Sequence, residues 1–106
     1  MTIQSKQPIV TVVVVPRESF NMFAEVVERI YAVTSPIFKM LVMEGNAPKE
    51  RRAQLEAIAA RHPSCKIVYS NRWVYPHEAV NQAIPMIDTK YAVFIDNEVE
   101  LLEDWL

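Results

Sequence analysis

The run Ile9-Val10-Thr11-Val12-Val13-Val14-Val15 constrains this chain more than any other stretch. It is an almost unbroken series of β-branched side chains that stops at Pro16, where a ladder donor is lost. A half-exposed strand alternates apolar and polar residues. A run that is apolar at nearly every position suits a strand covered on both faces, as at the centre of a parallel sheet. Parallel strands need crossover connections, so helices should alternate with strands along the chain.

The rest of the sequence has that alternation. Phe23, Val26, Val27, Ile30 and Tyr31 recur at the spacing of one helical face, and Ser35-Pro36 closes the helix they predict. Phe38 to Met43 reads as a second strand. Glu44-Gly45-Asn46-Ala47-Pro48 is a turn with proline placed to open a helix over Lys49 to Arg61, whose apolar face is Leu55, Ile58 and Ala59. Pro63 ends that helix, and Lys66 to Tyr69 gives a third, short strand. A looser segment from Ser70 to Pro76 leads into a helix from His77 to about Met86, with Ala79, Val80, Ala83 and Ile84 on its apolar face and Pro85 truncating or kinking it. Tyr91 to Ile95 is a fourth strand that ends at Asp96. The pattern predicts an α/β fold, a mostly parallel sheet with helices on both faces joined by right-handed crossovers. The sole glycine, Gly45, falls in a strand-to-helix turn, where a positive φ is often needed.

With 106 residues, 51% of them hydrophobic, the chain can enclose one core but not two of ordinary size, so residues 1–106 read as a single domain. A net charge of -2 gives no overall attraction for nucleic acid, which is not expected as a partner. The acids are unevenly placed: Asp96, Glu98, Glu100, Glu103 and Asp104 come after every lysine and arginine in the chain. The single cysteine, Cys65, cannot form an internal disulfide and reads as a small apolar residue in a reducing compartment. No apolar run approaches the roughly 20 residues of a membrane-spanning helix, and Met1 to Gln7 lacks the apolar stretch of a secretion signal. A cytoplasmic location without a transmembrane segment is the expectation.

In an open parallel sheet, ligands bind beyond the carboxyl ends of the strands where strand order reverses. Those ends are Pro16 to Ser19, Glu44 to Asn46, Ser70 to Arg72, and Asp96 to Glu98. Asp96-Asn97-Glu98 sets two carboxylates two residues apart just past a buried strand, a spacing that can aim hard oxygen ligands at a magnesium or manganese ion shared with a substrate phosphate. Without such an ion these acids would repel a diphosphate. Spacing alone leaves a plainer reading open, in which Asp96 ends the strand and caps the next segment while Glu98 and Glu100 are solvated acids near a helix start. Sharper phosphate motifs are missing: no Gly-x-Gly-x-x-Gly comes after Val15 and there is no P-loop, since one glycine cannot build either. His62 and His77 lie at no metal-ligand spacing and read as surface or helix-end residues. No Gly-x-Ser-x-Gly elbow is present for nucleophilic hydrolysis.

Taken in order, these segments resemble the amino-terminal part of family 2 glycosyltransferases. Val10-Thr11-Val12-Val13-Val14-Val15-Pro16 is similar to the family's opening strand and its proline. Leu41-Val42-Met43-Glu44-Gly45-Asn46 is similar to the second strand ending in acids, and Ala79-Val80-Asn81-Gln82-Ala83-Ile84 to a helix bearing a mid-helix Asn. Tyr91-Ala92-Val93-Phe94-Ile95-Asp96-Asn97-Glu98 is similar to the strand leading to a metal-binding Asp-x-Asp, and Leu102-Glu103-Asp104-Trp105-Leu106 closes the match. The resemblance runs from about residue 9 to the end.

It implies a Rossmann-like, glycosyltransferase A-type fold with strand order 3-2-1-4, which sets the ends of the first and fourth strands side by side. It implies a nucleotide-diphosphate sugar as donor, an acceptor the sequence does not name, and manganese or magnesium as cofactor. Donor binding would fall to Pro16, Arg17, Glu18, Ser19, Glu44, Asn46, Arg72, Asn81 and Asp96, with Glu44 on the nucleobase, Asp96 on the ribose or the metal, and Glu98 on the metal. The chain departs from the family where Arg17-Glu18-Ser19 replaces Thr-Tyr-Asn, where Glu44-Gly45 stands for two Asp, and where Glu98 lengthens the second metal ligand by a methylene. The family's general base lies later in the chain, so these residues are expected to form the donor-binding half of a longer enzyme and to carry no catalytic base. Apolar surface around Trp105 and Leu106 is then expected to lie bare and to promote self-association. The motif drift supports an alternative, a non-catalytic interaction module on a degenerate glycosyltransferase fold. A nucleotidyltransferase would need a glycine-rich loop that Arg17-Glu18-Ser19-Phe20 does not provide.

Overall fold

A computed structural model describes residues 8–16, 23–34, 37–96, 101–103 and 105–106. Four strands, β1 (Val10–Val15), β2 (Lys39–Met43), β3 (Cys65–Val68) and β4 (Tyr91–Asp96), form one sheet in the order β3-β2-β1-β4. Every pairing is parallel. Among the described residues three helices, α1 (Phe23–Val33), α2 (Lys49–Arg61) and α3 (Pro76–Ala83), alternate with the strands, and a 3-10 turn (Ile84–Met86) succeeds α3.

All six residues of β1 are buried, which explains the unbroken β-branched run: both faces of this strand are covered. On one face Val10, Val12 and Val14 meet Phe23, Val26, Val27 and Ile30 of α1 and Leu55 and Ile58 of α2. On the other, Val13 and Val15 join Leu41 and Met43 against Ala79 and Ala83 of α3. Full burial of each such aliphatic side chain contributes about 1.5–3 kcal/mol, so both clusters stabilise the central strands. The small Ala79 and Ala83 let α3 lie close to the sheet.

Several local details trace to single residues. Gly45 and Asn46 both take left-handed backbone conformations, with φ of 72° and 60°, geometry that glycine adopts without penalty and asparagine tolerates. Pro48 occupies the cap position of α2, its carbonyl accepting the first helical hydrogen bond from Arg52 N at 3.0 Å. The last helix is shorter than its apolar pattern predicts. Pro85 has no N–H to donate, and the final turn tightens to 3-10 geometry with Ile84 turned out to solvent. The third strand begins one residue earlier than expected, at Cys65, whose thiol burial pushes up in pKa and so keeps protonated. The helix-closing Ser35-Pro36 lies outside the described residues.

Among the described residues, two hydrogen bonds tie residues near Leu106 to α1 and its end. Arg29 Nε donates to the Leu101 carbonyl at 2.9 Å, and Trp105 Nε1 donates to Thr34 Oγ1 at 2.6 Å. Leu101 and Trp105 pack on the α1 side of the core. Trp105 is therefore docked, and of the two residues expected to lie bare only Leu106 is exposed.

Candidate functional site

The site is built at the carboxyl edge of the sheet. Val15 and Asp96 are register partners at the ends of β1 and β4, so the buried Pro16 leaves the sheet beside the half-buried Asp96. This is the point where successive crossovers diverge, β2 and β3 to one side of β1 and β4 to the other. Arg17, Glu18, Ser19 and Glu98, which the sequence assigns to the same place, lie outside the described residues. Among the described residues no three His, Cys, Asp or Glu side chains converge as a metal cluster. An ion of the magnesium or manganese type needs only one or two protein carboxylates besides water and phosphate, so the donor chemistry of Asp96 with Glu98 fits that requirement.

Glu44, at the end of β2, has an unexpected environment. Its side chain is 0% exposed. One carboxylate oxygen accepts from Asn46 N at 2.9 Å and Ser70 N at 3.2 Å, and the other from Ala47 N at 2.5 Å and Arg52 Nε at 3.2 Å. Four donors occupy the roughly four lone-pair sites that a carboxylate offers. This carboxylate, the one the resemblance assigns to a nucleobase, joins the β2–α2 turn, the first turn of α2 and the end of β3. Arg52 extends the knot, its Nη2 donating to Asn46 Oδ1 and to the Ala47 carbonyl, both at 3.4 Å.

Arg72, in the segment after β3, is likewise engaged. It donates to both oxygens of Glu78, at 2.6 and 3.3 Å, and to the Trp73 carbonyl at 2.9 Å. The Arg72 guanidinium, helped by the Tyr75 N–H, holds the Glu78 carboxyl down to about 2. Glu78 Oε1 accepts that Tyr75 N–H at 3.0 Å, bracing the start of α3. A hollow of about 430 Å³ opens beside this brace, lined by Tyr69, Ser70, Asn71, Arg72, Val74 and Gln82. Asn81, expected at the site, is exposed on α3 and does not line the hollow; its neighbour Gln82 does. Ser70 and Asn71 were legible as a strand end, whereas Tyr69 and Gln82 carry no signal in sequence beyond their neighbours.

Neither histidine enters the site. His62 caps α2 and stacks on Tyr31 with ring centroids 3.6 Å apart, and His77 stacks on Tyr75. Tyr69 donates to Glu56 at 2.7 Å, a bond that raises the phenol above its usual pKa.

No curated protein matches the chain at a significant level. The family model for glycosyl transferase family 2 matches residues 11–106. With an all-parallel sheet ordered 3-2-1-4 and Asp96 ending the strand beside β1, the chain belongs to family 2 of the glycosyltransferases and has their A-type, Rossmann-like fold.

Proposed function

We propose that residues 1–106 form a donor-binding domain that takes a nucleotide-diphosphate sugar with manganese or magnesium, for transfer of the sugar to an acceptor. One observation supports this reading: the Val15–Asp96 register, which brings the end of β1 beside the acid that ends β4. Asp96 and Glu98 would hold the cation, which when bound neutralises charge on the departing diphosphate. Arg17, next after Pro16 in sequence, would supply a cation for phosphate. Asn46 and Arg72 stand exposed at neighbouring strand ends, and Glu44 serves the base indirectly, by fixing the backbone of Asn46 and Ser70. The free thiol of Cys65 accords with a cytoplasmic setting. Among the described residues, no helix is long and apolar enough to cross a membrane.

Calorimetric titration of UDP and GDP, with and without manganese, tests the proposal. Binding that needs the metal and disappears in Asp96→Ala and Glu98→Ala is the expected result. Metal-independent binding, or binding unchanged in both variants, would overturn it.

A second reading, a non-catalytic interaction module on the same fold, is favoured by the internal engagement of Glu44 and Arg72. It predicts that neither nucleotide raises the melting temperature, with or without manganese.

A further inference from the structure

Arg72 is tied on one edge of its guanidinium and open on another. The group carries five N–H donors in a single plane. Both hydrogens of Nη1 are committed, to Glu78 Oε1 at 3.3 Å and to the Trp73 carbonyl at 2.9 Å, and one hydrogen of Nη2 goes to Glu78 Oε2 at 2.6 Å. Among the described residues, Nε–H and the second Nη2 hydrogen have no acceptor. In a planar guanidinium those two N–H bonds point the same way, so they form a parallel fork that the three existing bonds hold in place. Arg72 lines the hollow of about 430 Å³ together with Asn71 and Gln82, whose side-chain amides have no partner among the described residues. Arg72 is the one charged residue of that lining, and Glu78 offsets its charge. The hollow therefore suits a neutral ligand with hydrogen-bonding edges better than it suits a phosphate.

We propose that this hollow takes the nucleobase of the donor and that the Arg72 fork selects guanine, which rests on the donor-binding reading of the β1–β4 junction. β3 lies two strand spacings, about 10 Å, from β1. A nucleotide whose phosphates sit where β1 and β4 end would extend its base over β2 toward the residues that follow β3. Guanine sets two acceptors, N7 and O6, side by side, the edge that a guanidinium fork matches. Its N1–H and N2 amino donors then fall to the carbonyl oxygens of the Asn71 and Gln82 amides. Uracil places an N–H between its two carbonyls and adenine sets an amino donor beside N7, so with either base one prong of the fork meets no acceptor. Cytosine has adjacent acceptors, N3 and O2, but only an amino group to offer the two amides.

Titration of GDP, UDP, ADP and CDP into the full chain with manganese should give GDP the highest affinity, by about tenfold or more. A deaza analogue of GDP with C–H in place of N7 should lose most of that advantage, and this comparison needs no variant to fold. In Arg72→Lys, which keeps the charge but not the fork, the preference for GDP should vanish while the circular dichroism spectrum stays the same. UDP, ADP or CDP bound as tightly as GDP overturns the proposal. So does a deaza analogue that binds as tightly as GDP, or a preference that survives in Arg72→Lys. Metal-dependent binding without base preference leaves the donor reading standing and removes only the guanine assignment, whereas binding of none of the four nucleotides overturns both.

Discussion

Glu44 shows how far a residue's work can differ from its place in a motif. The sequence displays an acid at a strand end, but only the fold brings Ser70 N and Arg52 Nε to its carboxylate. Replacing it with glutamine puts an amide donor among four donors and leaves buried groups unsatisfied. Glu44→Gln should therefore lower the unfolding free energy in urea by about 3 kcal/mol, with nucleotide affinity falling only as far as the Asn46 and Ser70 backbone shifts. Glu78 offers a pH-dependent counterpart. Its carboxyl, normally near 4.5, is held to about 2 in the folded chain by Arg72 and the Tyr75 N–H. A depressed folded pKa means that stabilisation is complete above the unfolded value and lost as pH falls through the folded one. Glu78→Gln should melt lower than the parent at neutral pH, and the gap should close between pH 4.5 and about 2. A gap constant across that window would show that the Arg72–Glu78 pair adds nothing beyond packing.

At the scale of elements, legibility tracked burial. The bounds of α2 were readable because Pro48 and Pro63 bracket it, yet its apolar side is thin: only Leu55 and Ile58 are buried, with Ala59 half-covered. Leu55→Ala should cost about 2–5 kcal/mol by denaturant unfolding, since no neighbouring large side chain of α2 can take its place. β3 was harder to place because its residues are only half-buried or exposed, so no strict alternation marks where it begins. The early end of α3 was visible as Pro85, but not its consequence of turning Ile84 outward. Of the candidate site, the strand ends were legible and their pairing came from the family resemblance. The internal partners of Glu44 and Arg72 were not, because hydrogen bonds between distant segments leave no periodic trace.

The described residues are organised around β1, paired on both sides and buried at all six positions. Hydrogen exchange should accordingly find the slowest amides at Val12 to Val14, with β3 and β4, each paired on one side among the described residues, exchanging sooner. Equal protection across the four strands would contradict that gradient. The same arrangement bears on how the chain is made. Of the described strands β1 is made first and completed last: Val10 acquires its neighbour Tyr91 only after α1, β2, α2, β3 and α3 have been made. During synthesis this β-prone ribbon is therefore half-paired until β4 has left the ribosome, the interval in which nascent chains aggregate most readily. A transcript broken before the codon for Tyr91 should yield insoluble product.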